Sequence, residues 1–170
     1  MNAPSRIEDL TVDKLLASAI ARTDGLSHFG DDNYRASLQA LLDALASEAG
    51  LSQTGLHLLE ERLVGQLVNR LVMEDYLSRY PEITRIEIDD PLVIVGLPRT
   101  GTTMLQRTLA VDPRFYCAAW WETRFPAPLA GETLAAPAKR IAQAKAEVDL
   151  MAEVIPQILA IHPLDALLCD

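Results

Sequence analysis

Pro91-Leu92-Val93-Ile94-Val95-Gly96-Leu97-Pro98-Arg99-Thr100-Gly101-Thr102-Thr103-Met104-Leu105-Gln106-Arg107-Thr108-Leu109 sets the architecture expected of this chain. The uninterrupted apolar run Leu92 to Val95, with its β-branched members, predicts a strand covered on both faces. Gly96 and Pro98 then break the run. Met104, Leu105 and Leu109 recur at helical spacing, so a helix is expected to follow the loop. A strand feeding a loop at a helix N-terminus makes an anion site, because unpaired amides and the helix dipole converge there. The stretch therefore predicts a phosphate-binding loop. A Gly-Thr-Thr turn can also be a plain helix cap. The preceding strand and the Pro98-Arg99 pair favour the anion site.

The nucleoside-triphosphatase loop is G-x-x-x-x-G-K-[ST], whose lysine reaches the β/γ-phosphates. Gly96, Gly101 and Thr103 fit its spacing, but Thr102 stands where the lysine belongs. The cation lies earlier, at Arg99, where it can meet the bridging region of a bound anhydride but cannot clamp a γ-phosphate. Hydrolysis of ATP or GTP is disfavoured on that ground. Pro98-Arg99-Thr100-Gly101-Thr102-Thr103 resembles the 5′-phosphosulfate loop of the sulfotransferase family, where Pro, a cation and a hydroxyl residue precede Gly-Thr-Thr. The resemblance implies 3′-phosphoadenosine 5′-phosphosulfate (PAPS) as donor, an α/β P-loop fold and no required metal. It implies that Arg99 contacts the 5′-phosphate and bridging oxygen, stabilising charge on the departing nucleotide. Gly101, Thr102 and Thr103 would supply amides and hydroxyls to the same phosphate.

Composition narrows the class further. The chain has 170 residues, half of them apolar (49%), enough for one domain with an extension and a core without staples. Asp and Glu number 24 against 15 Lys and Arg, and the net charge of −9 argues against a nucleic-acid surface. Cys117 and Cys169 form neither a metal-ligand spacing nor a disulfide framework. The start, MNAPSRIEDL, lacks the apolar core of a signal peptide, and no run is long enough to span a membrane. A cytoplasmic protein is expected.

Three helices are expected before residue 90. The first spans Leu10 to Arg22 with Thr11 as N-cap and Gly25 at its end; the second follows Asp32 or Asn33 and ends near Gly50. The third opens at Ser52, carries Leu56, Leu59, Leu63, Leu67 and Leu71, and stops before Pro81. Unequal lengths predict a small bundle rather than a coiled coil. Arg62 and Arg70 read as solvated cations among Glu60, Glu61 and Glu74, and His57 as a lone histidine without a role. This leader is similar to the helical extension on many bacterial sulfotransferases.

Beyond the loop, Asp112-Pro113 predicts a turn and Phe115 to Trp120 a second, parallel strand. Glu122 then falls at the sheet edge where ligands bind. Glu122-Thr123-Arg124 resembles the step after the same loop in tyrosylprotein sulfotransferases, which implies Glu122 as the base and Arg124 facing the acceptor. A structural alternative pairs Glu122 with Arg124 or Arg114, and His162 is a rival base. Pro137 opens a further helix that Pro156 ends, with Ile158 to Ile161 adding a turn.

The expected organisation is a helical extension over 1–90 and the front of a P-loop sulfotransferase domain over 91–170, with an incomplete parallel sheet. The resemblance covers only the front of the family's catalytic domain. An inactive fragment is therefore expected, with self-association through exposed edges. The expected function is transfer of a sulfuryl group from PAPS to a hydroxyl or amine of a small-molecule acceptor. A P-loop small-molecule kinase and a non-catalytic helical interaction module are the alternatives.

Overall fold

A computed structural model describes residues 6–97, 100–129, 131–161 and 165–168. The chain divides into two compact units, Met1–Thr84 and Arg85–Asp170.

The first unit holds three helices: α1 (Val12–Ala21), α2 (Tyr34–Glu48) and α3 (Gln53–Arg79). Each start has a visible local cause. Thr11 Oγ1 accepts from the Lys14 amide at 3.3 Å, and Ser52 Oγ accepts from the Gly55 amide at 3.1 Å, satisfying donors that a helix leaves open. Asn33 precedes α2 without a side-chain cap bond. Its own amide instead donates to Asp31 Oδ1 at 2.8 Å, while Asp32 pairs with Arg35. Gly25 closes the turn after α1 with φ +90°, a conformation glycine adopts cheaply. Pro81 ends α3 by opening a 3₁₀ turn, Pro81–Arg85.

The helices bury one shared stripe. Leu15, Leu16 and Ala19 of α1 meet Leu56, Leu63, Val64, Leu67 and Leu71 of α3, with Leu42 of α2 and Phe29 at the side. Leu15, Val64 and Leu71 are fully buried, so truncating Leu71 to Ala would cost about 2–5 kcal/mol. Arg22 and Glu61 join α1 to α3 at the surface through two charged bonds of 2.9 and 2.6 Å. Arg70 departs from the solvated role expected of it. Its guanidinium donates to the carbonyls of Phe29 and Asp31 and lies 4.4 Å from the Tyr34 ring centroid. It latches the loop between α1 and α2 onto α3.

The second unit contains α4 (Thr102–Leu109), α5 (Trp120–Arg124), α6 (Ala138–Val154) and α7 (Ile158–Ile161). Its core is small: Phe125, Ala144 and Ala166, with Trp120, Trp121 and Val148 packed against them. Glu132 anchors the irregular segment before α6. One of its oxygens accepts from the amides of Lys139 and Arg140 in the first turn of α6, and the other lies 3.2 Å from Arg140 Nε. Both side chains are only 3% exposed. Pro137 precedes the helix and Pro156 follows its end, as the sequence predicts.

The parallel sheet does not form among the described residues. Leu92 to Leu97 is irregular, and Leu92, Val93 and Val95 are exposed by 57%, 72% and 88%. An apolar run becomes a strand only when a neighbour satisfies its backbone and covers its faces, and no described segment does so here. The segment predicted as the second strand, Phe115 to Trp120, is likewise irregular as far as Ala119 and turns helical at Trp120. The local reason is Glu122. Its carboxylate accepts from the Ala119 amide at 2.8 Å, a helix-start bond that a strand would forgo.

Candidate functional site

The described residues on either side of Pro98 and Arg99 lie close together. Thr100 Oγ1 donates to the Leu97 carbonyl at 2.7 Å, tying the two sides of the bend. A Cβ on Gly96 would lie 2.8 Å from Thr102 Cγ2 and 3.0 Å from Thr100 Oγ1, so any larger residue there obliges a threonine side chain to shift. Gly101 stands at the N-cap of α4 with φ +88° and ψ +15°, the left-handed region that other residues enter at a cost of about 1–2 kcal/mol. No side chain caps α4 among the described residues. The first-turn amides of Thr102 and Thr103 thus sit at a helix start opened by glycine, where partial positive charge concentrates. Pro98 and Arg99, the other two members of the motif, lie outside the described residues.

Two connections lead from α4 towards Glu122. Gln106 Nε2 on α4 lies 3.3 Å from Cys117 Sγ, holding the segment before α5 against the loop helix. Tyr116, on that segment, donates its phenolic hydroxyl to Glu122 Oε1. The Ala119 amide holds the other carboxylate oxygen. The hydrogen bond to Glu122 pushes the Tyr116 phenol up to about 12, with burial and the negative charge of Glu122 adding in the same direction. The phenol is a proton-bearing donor over the whole physiological range.

Arg124 shares α5 with Glu122 but turns to another partner. It is buried, with an 8% exposed side chain, and meets Glu147 of α6 through paired bonds. Its guanidinium also lies 4.7 Å from the Phe125 ring centroid. Neither arginine offered as a structural partner of Glu122 takes that place. Arg114 pairs with Asp112, whose carboxyl is held below its usual range by the side-chain and backbone donors of Arg114. His162 lies outside the described residues.

The α4 surface carries an open, mostly apolar hollow lined by Thr103, Met104, Arg107, Thr108 and Val111. Among the described residues no group of His, Cys, Asp or Glu could hold a metal ion. No described helix is long and apolar enough to cross a membrane. Two residues of the site escape a reading of the sequence. Tyr116 is hidden inside a segment that scans as a strand, and Glu147 stands among the charges of a helix with nothing local to link it to Arg124. The glutamate three residues after Ala119 is the one signal that would have revealed α5.

Residues 91–167 match the family model described as the sulfotransferase family. The crystal structure of sulfotransferase STF1 from Mycobacterium tuberculosis H37Rv is similar to this chain, with 34% identity and a TM-score of 0.71. The match covers 97% of this chain and 46% of that one, so the chain spans about half the length of the solved protein. Comparison with curated proteins gave no match.

Proposed function

This chain belongs to the sulfotransferase family, and from that premise we propose that its loop binds the 5′-phosphosulfate end of PAPS. The observation that supports this is the start of α4, where Gly101 stands at the N-cap in the left-handed region and no described side chain caps the helix. Arg99, two residues before Gly101 in the sequence, would supply the full charge, as the resemblance of the motif implies. The donor brings a sulfuryl group that carries less negative charge than a phosphoryl group, which suits fixed amides, hydroxyls and one guanidinium without a metal.

In this reading the chain's residues divide the work. Gly101, Thr102 and Thr103 orient the 5′-phosphate, and Arg99 stabilises charge on the bridging oxygen as the bond to sulfur breaks. Glu122 takes the proton from the acceptor's hydroxyl or amine as its oxygen or nitrogen attacks the sulfur. Its bond from the Ala119 amide fixes the carboxylate for that task. Arg124 holds α5 to α6, and the direct acceptor contact implied by the resemblance requires its pair with Glu147 to open. Residues 91–97 would form the first strand once neighbouring strands cover them, and transfer is assigned to that completed catalytic domain. A small-molecule acceptor and a cytoplasmic setting belong to the same proposal. So does self-association of the chain through its exposed apolar segment.

The kinase alternative needs a lysine where Thr102 stands. Calorimetry with adenosine 3′,5′-bisphosphate, ATP and sulfate tests the proposal. Preference for the bisphosphate is expected. Preference for ATP would move the chain to the kinases, and no binding of any of the three would leave a helical interaction module.

A further inference from the structure

The two oxygens of Glu122 are held in different ways. Oε2 takes its bond from the Ala119 amide, inside a helix start, and that bond is part of the fold. Oε1 takes its bond from Tyr116, whose residue is 81% exposed and sits in a segment without regular structure. The first contact is fixed by the backbone. The second can be exchanged, since little packing opposes rotation of an exposed ring. A hydroxyl donating to a carboxylate is also the arrangement that an acceptor must make with its base before transfer.

We propose that Tyr116 Oη marks the seat of the acceptor's hydroxyl on Glu122 Oε1, and that Tyr116 vacates this seat when an acceptor of the alcohol or phenol class binds. The proposal rests on the reading of Glu122 as the base. Tyr116 is a positioning residue in it: it keeps Oε1 aimed while the site is empty and competes with whatever enters. An acceptor then binds with an apparent affinity reduced by the fraction of chains whose seat is open. Removing Oη while keeping the ring should raise affinity for a hydroxyl ligand by about tenfold, the size expected for one charge-assisted hydrogen bond at an exposed site.

The test titrates 4-methylphenol into the 170-residue chain and into Tyr116→Phe, following the amide resonance of Ala119, which reports on the same carboxylate. The expected result is binding about tenfold tighter in Tyr116→Phe than in the unsubstituted chain, with the Ala119 resonance moving. Adding Glu122→Gln should cancel the gain. Equal affinity, no measurable binding to Tyr116→Phe, or a silent Ala119 amide would overturn the seat. An absorbance titration gives a second readout: Glu122→Gln should bring the Tyr116 transition from about 12 back towards 10.0. An unmoved transition would show that Oη does not sit on Glu122. The base is tested separately. Loss of sulfuryl transfer in Glu122→Gln of the completed catalytic domain, with no gain in Tyr116→Phe of the 170-residue chain, removes the seat and keeps the base. The reverse pattern removes the base.

Discussion

Arg124 and Glu147 meet as a two-pronged ion pair, Nε to Oε2 at 2.7 Å and Nη2 to Oε1 at 2.8 Å, joining α5 to α6. The guanidinium is buried and the carboxylate partly so, which makes the pair costly to break from one side. Glu147→Gln is expected to destabilise the second unit by about 3 kcal/mol, because it removes a counter-charge held by two bonds to a buried cation. Hydrogen exchange checks this. Protection should fall at the amides of Trp121 and Phe125 and stay unchanged along α3. Equal loss in both units, or none, would contradict it.

Glu132 gives the same unit an acid-sensitive anchor. Burial alone would push its carboxyl up, but the amides of Arg140, Leu129 and Lys139, with the charge of Arg140, outweigh burial and hold it below its usual range. A carboxyl lowered on folding stabilises above its unfolded value, near 4.5, and that stability is lost as pH falls below it. Arg140 stacks 5.0 Å from the Trp121 ring centroid, so indole fluorescence reports the release. The signal should change between about pH 4.5 and the lowered folded value, and Glu132→Gln should show the released signal at neutral pH.

Gly96→Ala tests the shape of the loop. The new Cβ would lie 2.8 Å from Thr102 Cγ2 and 3.0 Å from Thr100 Oγ1, so the hydroxyl-bearing side chains of the loop must shift to admit it. Overpacking of this kind costs about 1–3 kcal/mol, so affinity for adenosine 3′,5′-bisphosphate should fall roughly tenfold or more. The α1–α3 bundle should keep its hydrogen-exchange protection. Unchanged affinity would show that the bend is not part of the anion site.

The three helices of the first unit were legible, and the sheet and α5 were not, for a physical reason visible at particular residues. Thr11, Ser52 and Pro81 act on the next few residues, and the bonds expected of the two caps are present. Leu92 to Val95 states only what surface the segment would bury. Whether a neighbour arrives to pair with it is not a local property, and those residues remain uncovered. At the candidate site, the glycine-opened start of α4 was readable from Gly101-Thr102-Thr103. The partners of Glu122 and Arg124 were not, because Tyr116 and Glu147 reach them through tertiary geometry.

The exposed run also carries an expectation about assembly. Val93 and Val95 expose large apolar side chains in a segment without regular structure. Sedimentation velocity should show concentration-dependent association of the chain, relieved in the double variant Val93→Lys, Val95→Lys. Association that persists in the variant would place the contact elsewhere.

Arg99 is the residue on which the donor assignment turns, and calorimetric titration of adenosine 3′,5′-bisphosphate into the chain and into Arg99→Ala measures its part. A charge-assisted bond to the 5′-phosphate contributes about 1.5–3 kcal/mol, so the substitution should weaken binding by about ten- to a hundredfold. Equal dissociation constants for the two proteins would contradict a guanidinium grip on the nucleotide.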